Sequence, residues 1–169
     1  LAAQSRLVKL GKENVGVKVW LRGSLEGTAG SDKWIAIVAS EVSKVAGFEF
    51  VLNYDNDFAE VKQVKPVNAA SIWRYDYEVV NSGTSSSLRI SAGGDEELET
   101  SGEVELVKVK FKIKRDGKGD MKFVQVQIHD KYGHTPRFDD PLAPQIGEPE
   151  PDEVVEGIVE GEGTTEGIN

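Results

Sequence analysis

Alternation of apolar and polar residues is the dominant pattern along this chain. In residues 47–57, four large side chains alternate with mostly polar ones: Phe48, Phe50, Leu52 and Tyr54. Successive side chains of a β-strand point to opposite faces, so this spacing predicts a strand with an aromatic inner face and a mostly polar outer face. The Asp-Asn-Asp run that follows contains turn-forming residues and ends the predicted strand.

Seven further strands are predicted, most of them by the same period of two and one, residues 34–40, because nearly every position is apolar. They are residues 15–21, 34–40, 59–65, 73–79, 88–92, 107–114 and 123–129. No segment of ten or more residues shows a helical period. Strands about ten residues apart, separated by glycine-rich turns, predict an all-β sandwich.

Three connections carry more specific expectations. Val61 and Val64 fall out of strict alternation, which predicts a β-bulge near residues 62–63. Residues 95–105 are acidic and polar, so they are predicted to form a loop or a single helical turn. Asp116-Gly117 is typical of a hairpin turn, which would make the two last strands neighbours.

Charge divides the chain into two parts. The net charge is −9, yet Asp139–Asn169 contains ten acidic residues and no Lys or Arg, which leaves 19 acidic against 20 basic residues before it. We therefore divide the chain into an N-terminal arm at 1–14, a sandwich at 15–138 and an acidic Pro/Gly-rich tail at 139–169. Four β-branched residues in 153–160 leave two interpretations of that segment, a closing strand or an extended linker.

Composition excludes several functions. No basic cluster of the kind that binds nucleic acid is present. No apolar run of about 18 residues exists, so no membrane insertion is expected. Without cysteine, neither a disulfide framework nor a thiolate metal site can form.

The candidates for catalysis and metal binding have simpler structural interpretations. Residues 55–57 and 116–120 are acidic turns that lack the complete ligand set of a calcium loop. His129 and His134 are expected to be surface residues. No nucleophile motif is recognisable, so we expect no enzyme, no metal site and no cofactor.

Two features leave carbohydrate or polymer binding open. Three tryptophans could stack on sugar rings, although the alternation of Trp73 with Tyr75 and Tyr77 favours a core position for all three: Trp20, Trp34 and Trp73. A row of lysines could bind an anionic polymer, or it could only protect an exposed sheet from aggregation: Lys108, Lys110, Lys112 and Lys114.

The order of these strands is similar to that of a known family. Residues 46–61, a Gly-aromatic-x-aromatic strand that runs into Tyr-Asp, resemble the third and fourth strands of cohesin domains. Residues 88–93, Gly102 and residues 107–113 resemble later strands, and residues 123–126 the strand before the closing one. The resemblance covers roughly residues 15–138. It implies a nine-stranded β-sandwich with jelly-roll topology, an architecture shared with several cellulose-binding modules.

The resemblance implies a non-catalytic module that binds a dockerin-type partner and attaches it to a larger extracellular protein. Calcium would be carried by that partner, and the module would be secreted or attached to the cell surface. The alternative is a carbohydrate-binding or cell-surface structural module with the same architecture. Binding to polysaccharide is the less favoured of the two functions.

The resemblance also implies a flat binding face formed by the third, fifth, sixth and eighth strands. The outward residues there are the predicted partner contacts: Glu49, Val51, Asn53, Arg74, Asp76, Glu78, Arg89, Ser91, Gln125, Gln127 and His129, flanked by Tyr132. Val51 would be the apolar centre of this face. Many cohesins of cellulose-degrading assemblies carry Asn and Asp where this chain has Gly47 and Glu49, so its partner specificity is expected to differ.

Overall fold

Two β-sheets packed face to face form most of the computed structural model, which describes residues 17–132 and 144–151. Within these residues the chain forms eleven strands and one 3₁₀ helix, Asn68–Ile72. The strands are β1 Lys18–Arg22, β2 Glu26–Gly27, β3 Asp32–Ser40, β4 Ser43–Asp55, β5 Ala59–Pro66, β6 Arg74–Ser82, β7 Ser85–Glu99, β8 Glu103–Ile113, β9 Gly117–Lys118, β10 Met121–His129 and β11 Gln145–Ile146.

The strands are distributed over two main sheets and a short ribbon. One sheet has five strands in the order β11-β1-β3-β8-β5, the other has four in the order β10-β4-β7-β6, and β2 pairs with β9. All pairs are antiparallel except β1 with β11. Successive strands from β3 to β6 alternate between the two sheets, as in a jelly roll. The prediction of an all-β sandwich is confirmed.

The core lies between the two sheets and is formed by the alternating positions that the sequence identified. The inner residues of β4 are buried, and so are those of β8: Val107, Val109, Phe111 and Ile113. Phe48 stacks on Phe50 with ring centroids 4.3 Å apart. Tyr54 meets Phe111 of the opposite sheet edge-to-face at 5.2 Å. These aromatic contacts therefore stabilise the packing of the two sheets, beyond the contribution of the apolar area that they bury.

Two predictions about connections were wrong and one is confirmed. The register of β5 shifts between Val61 and Gln63, as the predicted bulge requires. The expected loop after residue 94 is instead the end of β7, which continues to Glu99 because buried Leu98 pairs with Val45 of β4.

The segment that follows β8 is not a hairpin, because β8 and β10 lie in different sheets. Residues 114–120 cross between the sheets and contribute β9 to the short ribbon. Gly117 has a φ of 121°, and Gly119 lies so close to the Phe58 ring that a Cβ would meet it at 2.8 Å. Asp116 therefore lies in a bend that leads into β9, and the predicted hairpin turn was wrong.

Part of the acidic tail lies along the first strand. Gln145 and Ile146 pair in parallel with Lys18 and Val19. Farther on, the Glu150 amide donates to the Leu21 carbonyl at 2.8 Å. The predicted arm at 1–14 and the possible closing strand at 153–160 lie outside the described residues and stay predictions.

Candidate protein-binding face

The outward residues predicted from the sequence come together on the outer surface of the four-stranded sheet, which we call the polar face. Cross-strand pairing aligns them in rows that run from β10 through β4 and β7 to β6. The rows are His129, Gly47, Gly93 and Arg74; Gln127, Glu49, Ser91 and Asp76; Gln125, Val51, Arg89 and Glu78; and Lys122, Asn53, Ser87 and Val80.

Glu49 is the centre of a hydrogen-bonded network on this face. Its carboxylate accepts from Arg89 Nη1 at 2.8 Å and from Gln125 Nε2 at 3.0 Å. Ser91 Oγ lies 3.4 Å from the same carboxylate. The network joins β4 to both neighbouring strands, yet the Arg89 side chain is still 47% exposed. The charged groups are thus oriented by one another and remain accessible to a partner.

A second polar contact lies near the end of the face, in the row that contains Asn53 and Ser87. Ser87 Oγ donates to Asn53 Oδ1 at 2.8 Å across β7 and β4. On the edge strand β6, the Asp76 carboxylate accepts from the Tyr77 amide at 2.9 Å. Side chains that are already hydrogen-bonded lose less conformational freedom on binding than mobile ones would.

The prediction that Val51 is the apolar centre of the face was wrong. Val51 is directed outward from the sheet between Gln125 and Arg89, but it is only 6% exposed. It therefore offers almost no apolar surface to a partner. The exposed apolar residues are Val124 on β10 and Val80 on the edge strand β6, which were not predicted.

Val124 is exposed because β10 contains a bulge between Phe123 and Gln125. The bulge turns Phe123 inward, where its ring lies 5.9 Å from that of Phe50. It also keeps Gln125, Gln127 and His129 outward, as predicted. A signal was present: Phe123 and Val126 are three residues apart and both apolar, the spacing that predicted the bulge in β5.

Gly47 has a steric role on this face. A Cβ at residue 47 would overlap His129 Nε2 and would lie 2.8 Å from the Ala92 carbonyl oxygen. The imidazole therefore lies over the glycine, with Nδ1 3.1 Å from the Asp130 carbonyl oxygen. Beside it, the Tyr132 amide donates to Asp130 Oδ1 at 2.9 Å, and the Tyr132 ring is exposed at the end of the face.

The edge strand β6 is exposed along its whole length, contrary to expectation for its aromatic side. Arg74, Asp76 and Glu78 lie on the polar face as predicted. Tyr75 and Tyr77 pair with inner-face residues of β7, but 47% and 40% of their surfaces are exposed. Only Trp73, just before the strand, is buried, and its Nε1 donates to the Glu96 carbonyl at 2.9 Å.

The remaining candidate sites are the tryptophans and the acidic turn at residues 55–57. Trp20 and Trp73 are buried, whereas Trp34 is 41% exposed, so the expected core position of Trp34 was wrong.

In the acidic turn at residues 55–57, the carboxylates of Asp55 and Asp57 lie 3.6 and 3.5 Å from the Arg115 guanidinium. A hydrogen bond between these two carboxyl groups raises the pKa of Asp55 and lowers the pKa of Asp57.

Two further findings concern ligands and membranes. Among the residues that the structure describes, no group of three or more His, Asp or Glu is placed to hold a metal ion. His134, one of the two predicted surface histidines, lies outside them. No helix in the described part of the chain has the length and apolar character of a membrane span.

Comparison with known proteins identifies similar folds. A family model of the cohesin domain matches residues 19–140. A non-cellulosomal cohesin from the archaeon Archaeoglobus fulgidus is 19% identical, with a TM-score of 0.59 over 79% of this chain and 86% of that one. A type I cohesin–dockerin complex from Clostridium thermocellum contains a similar chain, 14% identical, with a TM-score of 0.63 over 82% and 99%.

A third similar structure is a cohesin module of a family 33 glycoside hydrolase from Clostridium perfringens. It is 14% identical, with a TM-score of 0.56 over 78% of this chain and 97% of that one. No curated protein matches the sequence. At these identities the structural likeness establishes the fold, and the family model establishes the family.

Proposed function

Because this chain belongs to the cohesin family, we propose that it binds a dockerin-type module through the polar face. Cohesins are non-catalytic binding modules, and the similar chain from Clostridium thermocellum is described as part of a cohesin–dockerin complex. We extend that function to this chain, and with it the absence of catalysis.

The observation that carries the proposal is the network around Glu49. Arg89 and Gln125 are 40 and 76 positions from Glu49 in the sequence, yet both donate to its carboxylate at the centre of an exposed sheet face. Burial of such a surface requires a partner that replaces the lost water with matched polar groups. Affinity and specificity would then rest on charge and hydrogen-bond complementarity more than on apolar burial.

The charge distribution indicates what the partner should offer. Cations lie at opposite corners of the face: Arg74 on β6, in the row that His129 begins on β10, and Lys122 on β10, beside Asn53. Asp76 and Glu78 follow Arg74 along the β6 edge. A partner surface with acidic groups at its ends and donors along one side would complement this arrangement.

The proposal has consequences for the wider protein. Calcium is carried by the dockerin-type partner. The module is secreted or attached to the cell surface, where it fixes the partner to a larger protein. Residues 145–150 of the acidic tail pair with β1, so this part of the tail belongs to the binding module.

The direct test is calorimetric titration of the module with a panel of isolated dockerin modules, with calcium and after chelation. We expect at least one dockerin to bind only when calcium is present. Glu49→Ala should lower that affinity at least about tenfold, the cost of a buried interfacial hydrogen-bond network.

Lys112→Ala, on the outer surface of the other sheet, is the matched control and should bind normally. Binding that survives chelation would contradict the proposal. So would an equal loss of affinity for the Glu49 and Lys112 variants, because the partner would then not be on the polar face.

A further inference from the structure

The opposite outer surface of the sandwich carries a second candidate site, centred on Trp34 in β3. Strand pairing aligns Trp34 with Lys110, and the next row aligns Arg22, Ala36, Lys108 and Lys65. We call this surface of the five-stranded sheet the Trp34 face. It plays no part in the proposed dockerin binding.

Trp34 differs from the other two tryptophans in its surroundings. Trp20 and Trp73 are buried, and each donates its indole N–H, to Glu150 and to the Glu96 carbonyl respectively. Trp34 is 41% exposed on a flat sheet. Its alternation with buried Ile35 and Ile37 accounts for this, since those residues take the inner positions of β3. A large apolar ring is therefore presented to solvent.

A shallow cavity of about 280 Å³ lies beside this ring. It forms because Ala36 has a short side chain between the longer side chains of Arg22, Trp34 and Lys108. Arg22 is held by three carboxylates, so this wall is fixed. The cavity is close to the lower size limit of small-ligand sites, which suits one ring of a longer chain.

The surroundings of the cavity are predominantly cationic. Lys65 and Lys110 place their ammonium groups 5.4 and 5.8 Å from the Trp34 ring centroid. The residues that line the cavity or contact the ring include five cations and one acid: Arg22, Lys33, Lys65, Lys108, Lys110 and Glu105. Carboxylates just outside this set pair with two of the cations, Glu103 and Glu150 with Arg22 and Asp32 with Lys110 at 3.5 Å, so the charge left for a ligand is concentrated on the lysines of β5 and β8.

Strand pairing also sets two of these lysines against each other. Lys65 and Lys108 are direct cross-strand partners in β5 and β8. Like charges directly opposite one another destabilise a sheet. Lys108 lies 3.7 Å from Glu105, a long ion pair whose carboxylate also contacts Arg22 at 3.2 Å. A bound anion would reduce this repulsion.

We propose that the Trp34 face binds an anionic polysaccharide, with one sugar ring packed against Trp34 and its carboxylate close to Lys108 and Lys110. The C–H surface of a sugar ring fits an exposed indole, and lysines provide charge-assisted hydrogen bonds to carboxylates. The row of Lys108, Lys110 and Lys112 repeats about every 6.8 Å along β8, which suits a polymer with repeated acidic groups.

An acidic polypeptide is the competing occupant, and the test separates the two. The whole module is run in affinity electrophoresis and titrated calorimetrically with polygalacturonate, with a neutral β-glucan and with polyglutamate. We expect polygalacturonate to bind most tightly and to lose affinity as NaCl rises, because exposed charges are screened.

Variants assign the binding to the face. Trp34→Ala should weaken polygalacturonate binding about tenfold or more. The double substitution of Lys65→Gln with Lys110→Gln should reduce both the affinity and its dependence on salt concentration. Matched controls are Tyr132→Ala, an exposed aromatic residue elsewhere, and Lys118→Gln, an exposed lysine elsewhere; both should bind normally. Thermal melting checks that each variant folds.

Four outcomes would overturn the proposal: no binding to polygalacturonate, binding unaffected by Trp34→Ala, equal binding of the neutral glucan, or tighter binding of polyglutamate. Dockerin binding is measured on the Trp34→Ala and Lys65→Gln/Lys110→Gln variants. It should be unchanged, because the polar face lies on the other side of the sandwich. Failure here is thereby distinguishable from failure of the proposed dockerin function.

Discussion

The two outer faces of the sandwich each hold an ionic cluster with one central group, and the clusters are built in opposite senses. On the polar face the centre is an anion, Glu49, surrounded by donors from the adjacent strands. On the five-stranded sheet the centre is a cation, Arg22, surrounded by carboxylates. Its partners lie at 2.6, 3.2 and 3.3 Å: Glu103, Glu105 and Glu150.

The clusters differ in what they connect. The Glu49 cluster joins strands that backbone pairing already holds together. Arg22 reaches from β1 across β3 to β8, a connection that β-pairing does not supply, and also to Glu150, whose backbone already pairs with β1. The Arg22 side chain is 18% exposed, far less than that of Arg89. We infer that the Arg22 cluster stabilises the fold, whereas the Glu49 cluster is available to a partner.

The charge state of Arg22 agrees with this interpretation. Burial disfavours its charge, but hydrogen bonds to Glu150 and Glu103 more than compensate and raise the pKa of Arg22 above its usual value. The guanidinium therefore stays charged at any pH at which the protein is folded.

The largest expected effect in this comparison comes from Arg22→Met. The change keeps much of the apolar stem but leaves three carboxylates close together without a cation. A half-buried cluster should lose about 2 kcal/mol of unfolding free energy, less than the 3–5 kcal/mol of a fully buried pair. Urea unfolding followed by tryptophan fluorescence measures the loss.

Lys112→Met is the matched control, since Lys112 is an exposed lysine of the same sheet. It should change stability by no more than about 0.5 kcal/mol. Equal losses for the two variants would mean that Arg22 is an ordinary surface cation and that the comparison fails.

Gly47→Ala should have the next largest effect and sharpens the polar side of the comparison. The added methyl group overlaps His129 and approaches the Ala92 carbonyl at 2.8 Å. We expect a loss of about 1–2 kcal/mol from this overpacking. In the His129→Ala background the same change should cost less, because only the carbonyl contact remains. A cost that is unchanged in that background would contradict the assigned position of the imidazole.

The central strands were predictable from the sequence because both of their edges are paired and one face is covered by the other sheet. In β4 and β8 the period of two gave the inner and outer residues correctly, since each strand lies between two others and is covered by the opposite sheet. The same rule failed for Tyr75 and Tyr77, because β6 is an edge strand beyond that cover. Alternation shows on which side of a strand a residue lies, but not whether anything covers that side.

The composition of the candidate face was also predictable, but its contacts were not. That Glu49 and Arg89 point outward follows from local alternation. That they form an ion pair depends on the register between β4 and β7, and the buried state of Val51 depends on its neighbours across two strands. Register is set by distant pairing and by bulges such as that at Val124, which a local pattern reports only weakly.

A smaller effect is expected from pH. Burial works against the charge of Glu150, but hydrogen bonds from Trp20 and Arg22 prevail and lower its pKa below the ordinary 4.5. A carboxyl group with a lowered folded-state pKa contributes stability above its ordinary pKa, and that contribution is lost as the pH falls through the folded value.

The Glu150 side chain is 37% exposed, so screening limits its contribution to less than about 1 kcal/mol. Unfolding free energies at pH 7 and pH 3 test this. Glu150→Gln should lose less stability between the two values than the unaltered protein does, since the glutamine cannot titrate. An identical loss in both proteins would show that Glu150 does not contribute to the pH dependence.

The smallest effect on stability is expected from Glu49→Gln. The amide keeps one acceptor for Arg89 or Gln125 and removes only the ion pair, in which Arg89 is nearly half exposed. Exposed pairs contribute little, so the unfolding free energy should change by less than about 0.5 kcal/mol. A loss as large as that of Arg22→Met, measured in the same urea series, would mean that both clusters hold the fold together. In that case the polar face could no longer be distinguished from the other face by its Glu49 cluster.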